Sequence, residues 1–264
     1  MNENKSNSIL KAKNLSIGYK TRKKEIVVSH NINFDLQQGQ LIGLVGANGI
    51  GKSTLLRTLI KVQPNLSGSI FLNNRDLKET STIELAKQLS IVLTESLASK
   101  NLSVYELVAL GRHPYTNWIG NLSTEDTQKV DEAIGLVNIS DLKEKKCFEL
   151  SDGQLQKVMI ARALAQDTDI IVLDEPTTHL DMYHKAYILK LLQRLTKETG
   201  KTILFSSHEI DLAIQLCDTM LVMTTKNIVC DEPCNLIEDG VFNSLFPKDM
   251  IAFDTKTGSF KISQ

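Results

Sequence analysis

The chain has 264 residues, 42% of them hydrophobic and 23% charged, which is the balance of a globular protein with room for one large or two small domains. A formal net charge of −1 excludes a whole-molecule field that would gather nucleic acid or anionic lipid. The polar start Met-Asn-Glu-Asn-Lys-Ser-Asn-Ser carries no signal-peptide apolar core, and no run approaches the ~20 apolar residues that span a bilayer, so a membrane role is expected to pass through a partner.

Residues from about 8 to 36 alternate apolar and polar, with a polar break at Lys20–Lys24, which predicts antiparallel strands. The lysines and arginine of the first twenty-five residues read as a solvated terminus and loop. Leu41, Ile42, Leu44 and Val45 then form a short buried strand. Directly after it, Gly46-Ala47-Asn48-Gly49-Ile50-Gly51-Lys52-Ser53-Thr54 fits the P-loop pattern. Leu55, Leu56, Leu59 and Ile60 follow at helical spacing. Glycines let successive N–H groups turn inward as an anion nest. The helix start adds its positive end. Lys52 supplies a point charge for the β- and γ-phosphates, and Ser53 offers a hydroxyl to Mg²⁺. Kinases, GTPases, motors and transporter ATPases share such a loop, so it implies a nucleotide and not yet one function.

Residues 69–72 give another strand. From about 96 to 150 the pattern turns helical. Ser103 and Glu106 form a capping box before Leu107, Val108 and Leu110, and a second helix covers Thr124–Val137. Beyond 150, strands and helices alternate as in a parallel sheet. Ser151 and Gln154 box the start of a helix with Leu155, Val158, Met159, Ala163 and Leu164 on its apolar side. Ile170–Leu173 is a buried strand, residues 182–198 a helix closed by Gly200, and Thr202–Phe205 a strand. Glu209–Leu216 is a helix, and Met220–Met223 and Ile228–Cys230 are strands. Asp174 and Glu175 stand at the carboxyl end of a buried strand, where α/β sheets place ligands. Asp174 suits a Mg²⁺-holding carboxylate. Glu175 is then free to orient or deprotonate water. Cys147, Cys217, Cys230 and Cys234 lack metal spacing and read as free thiols.

Gly46–Thr54, Leu150-Ser151-Asp152-Gly153-Gln154, Leu173–Thr178 and Ser207-His208, in this order, resemble the ATP-binding subunits of ABC transporters over nearly the whole chain. The resemblance implies an α/β P-loop NTPase fold. Its ATPase domain would span 8–248, with a mixed sheet core, an antiparallel β subdomain and a helical subdomain inserted at about 96–156. A short C-terminal extension, 249–264, would follow. It implies ATP and Mg²⁺ as cofactors, and a head-to-tail dimer in which Ser151, Gly153 and Gln154 touch the γ-phosphate of the other chain's ATP. Lys52, Glu175 and His208 are implied as catalytic. Tyr19 would stack on adenine, Gly46, Asn48, Gly49, Gly51, Ser53 and Thr54 would cradle the phosphates, and Asp181 would cross the dimer interface. The metal set is Ser53, Asp174 and Glu95, the last standing where the family has a glutamine. Asp152 also departs from the family pattern, which has glycine there.

The stretch Leu102–Trp118, with Gly111-Arg112-His113-Pro114-Tyr115, looks like the segment through which ATPases of iron–siderophore, haem and cobalamin importers meet their membrane permease. Arg112 and His113 are expected at that interface, with a substrate-binding protein as an indirect partner and a peripheral position on the cytoplasmic side of the inner membrane. Iron–siderophore import is the leading expectation. The alternative is a soluble ABC ATPase, for example in iron–sulfur cluster assembly.

Overall fold

The structure is a computed structural model that describes residues 8–21, 24–93, 100–117, 120–247, 249–255 and 257–262. It forms two compact units. One is built from both ends of the chain, Met1–Thr80 and Thr202–Gln264; the other is Ser81–Lys201.

The first unit opens with a long antiparallel hairpin of β1 (Ser8–Lys20) and β2 (Glu25–Gln37). Leu10, Ala12, Leu15 and Ile17 are buried from one strand, and Ile32, Phe34 and Leu36 from the other, as the alternation predicts. Every residue of β3 (Leu41–Gly46) is buried. After the glycine loop, α1 (Lys52–Leu59) turns Leu55, Leu56 and Leu59 inward. β4 (Ser67–Leu72) and β5 (Arg75–Asp76) complete an antiparallel sheet in the order β2-β1-β4-β5.

In the second unit come α2 (Thr82–Ala86), β6 (Leu89–Val92) and α3 (Val104–Ala109), which runs into a tighter helical stretch at Leu110–Tyr115. Then follow α4 (Thr124–Leu136), α5 (Asp152–Ala165), β7 (Ile170–Leu173) and α6 (Met182–Thr199). Ser81, Ser103, Ser123 and Ser151 each cap a helix in a full capping box, so the N–H groups of the cap residue and of the third helical residue are satisfied locally. Gly200, at φ 67°, closes α6 in the left-handed conformation that glycine adopts without penalty. β6 and β7 pair in parallel, and α3 and α4 pack on α5.

The chain then returns to the first unit with β8 (Thr202–Ser207), α7 (Ile210–Leu216), β9 (Thr219–Met223), β10 (Ile228–Asp231) and α8 (Pro233–Glu238). β3 lies between β8 and β9, parallel to both, and β10 joins β9 antiparallel. A Cβ at Gly43 would stand 2.9 Å from Cys217 Sγ, so the glycine admits the end of α7 against β3. All four cysteines are free. A short hairpin, β11 (Ile251–Asp254) and β12 (Ser259–Ile262), closes the chain over Phe242, Phe246, Phe253 and Phe260, whose rings meet at 5.0–5.2 Å.

Arg112 corrects an expectation. It does not face a partner; it is 4% exposed. Its Nε donates to Asp126 at 2.8 Å and its Nη1 to the Ala165 carbonyl at 2.9 Å, and Tyr115 covers the guanidinium at 4.0 Å. A buried guanidinium needs such oxygens in place of water. Burial works to raise the Asp126 pKa, but hydrogen bonds from Ser123 and Arg112 outweigh it and hold the carboxyl below its ordinary range. A depressed carboxylate stabilises the fold above its unfolded pKa of ~3.9, and that contribution disappears as pH falls through the folded value. Asp126→Ala should therefore cost about 3 kcal/mol at pH 7, since it strands Arg112. Urea unfolding should find the gap to the native chain shrinking below pH ~4; a gap independent of pH would contradict the assignment.

Candidate nucleotide-binding site

In the first unit the loop Gly46–Gly51 folds around the end of its own lysine. Gly49 (φ 74°) and Gly51 (φ 113°) take up backbone conformations that other residues rarely adopt. A Cβ at Gly51 would also fall 2.3 Å from Val28 Cγ1. This curl brings two carbonyls onto Lys52, which is 5% exposed: its Nζ donates to the Gly46 oxygen at 3.0 Å and the Ala47 oxygen at 3.3 Å. Asn48 and Gly49 stand exposed at the tip, and Ser53 lies in the first turn of α1.

Two further residues meet the loop's helix and lysine. His208 follows the last residue of β8, and its Nδ1 is 3.4 Å from Lys52 Nζ. An ammonium has no lone pair, so in this contact the lysine can act only as donor and Nδ1 as acceptor. Tyr19, at the end of β1, is 47% exposed, and its hydroxyl is 2.7 Å from Thr54 Oγ1. The ring is thus steadied at its polar end with a face left open. Lys52, Tyr19, Thr54 and His208 gather in one place, although 156 residues of sequence separate Lys52 from His208.

In the second unit Asp174, 5% exposed, follows β7, and its N–H donates to the Val92 carbonyl at 2.8 Å. Glu175 has φ 48°, a left-handed conformation that is costly for a glutamate and is held by the turn Glu175–Thr178. Thr178 Oγ1 donates to Glu175 Oε2 at 3.2 Å. The two carboxylates line a cavity of about 300 Å³ together with Lys100, Asp152, Gln156 and His179. Asp152 therefore shares this cavity with a lysine as well as with the carboxylates. Among the described residues no three His, Cys, Asp or Glu side chains cluster tightly enough to hold a metal alone. The Ser53 hydroxyl in the first unit and the Asp174 carboxylate in the second are each hard-oxygen groups of the kind Mg²⁺ accepts, an ion that keeps several waters and takes phosphate oxygens as ligands.

Ser151 caps α5, Gly153 is buried in its first turn, and Gln154 completes the box. Asp181 caps α6. Its Oδ1 accepts from the His184 N–H at 2.8 Å and lies 2.9 Å from His184 Nδ1. These bonds, the backbone one first, hold its carboxyl below the ordinary range. His184 was not singled out from the sequence; Asp181-x-x-His184, a helix cap with an imidazole at the third helical position, was the available signal. Glu95 and Trp118 lie outside the described residues.

Comparison with known proteins follows the same lines. The family model described as ABC transporter matches residues 29–178. The achromobactin transport ATP-binding protein CbrD of Dickeya dadantii is 34% identical over 239 residues, 90% of this chain and 87% of that protein. The iron(3+)-hydroxamate import ATP-binding protein FhuC of Bacillus subtilis is 36% identical over 83% of this chain and 80% of that one. The dimeric, post-hydrolysis structure of the ATP-binding cassette MJ0796 with ADP and Pi superposes with a TM-score of 0.72 at 27% identity, covering 85% of this chain and 99% of that one. With its phosphate loop, buried lysine and paired acids in place, the chain belongs to the ATP-binding subunits of ABC transporters, and its fold is that of an ABC ATPase.

Proposed function

We propose that this chain hydrolyses ATP to energise an importer of iron(III)–siderophore complexes, working as a dimer on the cytoplasmic face of the membrane. The observation that carries the substrate class is the likeness, over more than four-fifths of the chain, to the ATP-binding proteins of achromobactin and iron-hydroxamate systems. No helix among the described residues is long and apolar enough to cross a membrane; on this reading the transport path belongs to a separate permease.

The roles follow from the chemistry of each group. Lys52 and the N–H groups from Gly46 to Thr54 bind the β- and γ-phosphates, and Tyr19 offers its open face to adenine. Ser53 and Asp174 hold Mg²⁺, which when bound neutralises charge on the phosphates. Glu175, fixed by its strained backbone and by Thr178, orients the attacking water and draws its proton. His208 contacts the γ-phosphate through a hydrogen bond. Ser151, Gly153 and Gln154 serve the partner chain's ATP, in keeping with the anion affinity of a helix start. Asp181 is assigned to the boundary between chains; the similar cassette MJ0796 is itself dimeric. ATP closes the dimer, and hydrolysis releases it. As to domains, the ATPase reading covers 8–248, with 249–264 as an extension.

For the permease, a groove in the second unit is lined by Thr82, Ile83 and Ala86 of α2 and by His113 and Pro114. Ile83 is 68% exposed, an apolar side chain with water where a partner helix could cover it. This narrows the Leu102–Trp118 surface to its rim around His113 and adds α2.

Three outcomes test this reading. Glu175→Gln should keep ATP affinity, lose roughly 10²- to 10⁴-fold in kcat as expected for removing a general base, and accumulate as a dimer with ATP; a monomer by size-exclusion chromatography would contradict it. Asp152→Gly should raise the hydrolysis rate by up to about fivefold, the reach of one exposed charge near an incoming phosphate; equal rates would show that the charge is neutral to catalysis. The chain should co-purify from membranes with a multi-span permease, and Ile83→Asp should release it without loss of ATPase activity; recovery of wild-type chain only as a free soluble ATPase would favour the non-transport alternative.

A further inference from the structure

The first turns of α5 and α6 meet through one side chain. A Cβ added to Gly153 would stand 2.9 Å from His184 Cδ2 and 3.6 Å from its Cγ and Nε2. Packed carbon atoms settle about 3.5–4.0 Å apart, so the edge of the imidazole occupies the space that a side chain at 153 would need. The ring is fixed from its other edge by Asp181 Oδ1 at 2.9 Å, and Tyr183 meets it edge-on at 5.3 Å. Farther along the same two helices, Lys157 stands over the Tyr187 ring at 4.4 Å. Asp181 and His184 keep 67% and 47% of their side chains exposed. A pair this exposed adds little to stability. Its consequence is geometric: it joins the turn ending at Asp181 to the turn beginning at Ser151.

Resting on the reading that the start of α5 receives the partner chain's ATP, we propose that His184 is a positioning residue for hydrolysis. Anchored on Asp181, its imidazole sets where the Ser151–Gly153 turn stands, so that the helix N–H groups are in place before a phosphate arrives. Donors placed in advance cost no reorganisation when charge develops, and small misplacements are expensive. Asp181 accepts the Nδ1 proton, so the anchor requires a hydrogen on that nitrogen. The close approach also gives Gly153 a reason to be glycine that is separate from phosphate binding.

Three substitutions separate anchor from bulk. His184→Asn puts an amide N–H where Nδ1 was and an oxygen where Cδ2 was. His184→Leu keeps the bulk and loses the donor. His184→Ala removes both. Each is read in the full chain by kcat, by nucleotide affinity, and by hydrogen exchange over residues 151–157 without nucleotide. His184→Leu and His184→Ala should lower kcat roughly ten- to a hundredfold, leave nucleotide affinity within about twofold, and speed exchange; His184→Asn should restore kcat to within about threefold. Wild-type kcat in His184→Ala, a fall in kcat with unchanged exchange, or His184→Asn as slow as His184→Ala would each overturn the proposal. Should the native chain not hydrolyse ATP at all, it is the functional reading that fails. The exchange measurement still decides whether His184 holds the turn.

Discussion

A buried ammonium is the constraint from which the nucleotide loop takes its shape. Removing a lysine's charge from water costs several kcal/mol unless oxygens replace its hydration. At Lys52 the replacements are the Gly46 and Ala47 carbonyls, which reach it only because the loop passes through conformations that suit Gly49 and Gly51. His208 joins the arrangement because its Nδ1, 3.4 Å from the ammonium, can accept from it. One side chain's need for oxygen and nitrogen lone pairs thus organises loop and histidine together.

The second unit solves a related problem with carboxylates. Asp174 is buried at the end of a strand, and Glu175 is forced to a positive φ by the turn that follows. Strain of this kind persists where surrounding bonds over-determine it, and here the Thr178 hydroxyl and amide supply them. The capped starts of α5 and α6 are placed by local bonds that cost little sequence: a serine, an aspartate and their partners three residues on. What joins the two starts is less local, an imidazole edge on a glycine.

Much of this was legible in the residues because it is local. The P-loop, the capping boxes at Ser103 and Ser151, the buried Ile170–Leu173 and the closing Gly200 each announce themselves within a few positions, and the structure bears them out. What was misread depends on distant partners. Arg112 looked like a surface cation because Asp126 is fourteen residues away and the Ala165 carbonyl farther still. The terminal hairpin leaves little trace because its four-residue strands are mostly part-exposed and lack the solid apolar run of Ile170–Leu173, and the aromatic rings that hold it come from both sides of Pro247. Contact between His184 and Gly153 left only the spacing of Asp181 and His184 as a trace.

The central claim is that one chain carries two complementary halves of an ATP site and that each half works only with the other chain's counterpart. Mixing tests it directly. A Lys52→Ala chain lacks the phosphate loop's charge and keeps its α5 start; a Gly153→Asp chain keeps the loop and lacks the α5 start. Either alone should be nearly inactive, while an equimolar mixture should hydrolyse ATP well above the sum of the two, because each mixed dimer rebuilds one intact site. A mixture no faster than its components would contradict the account.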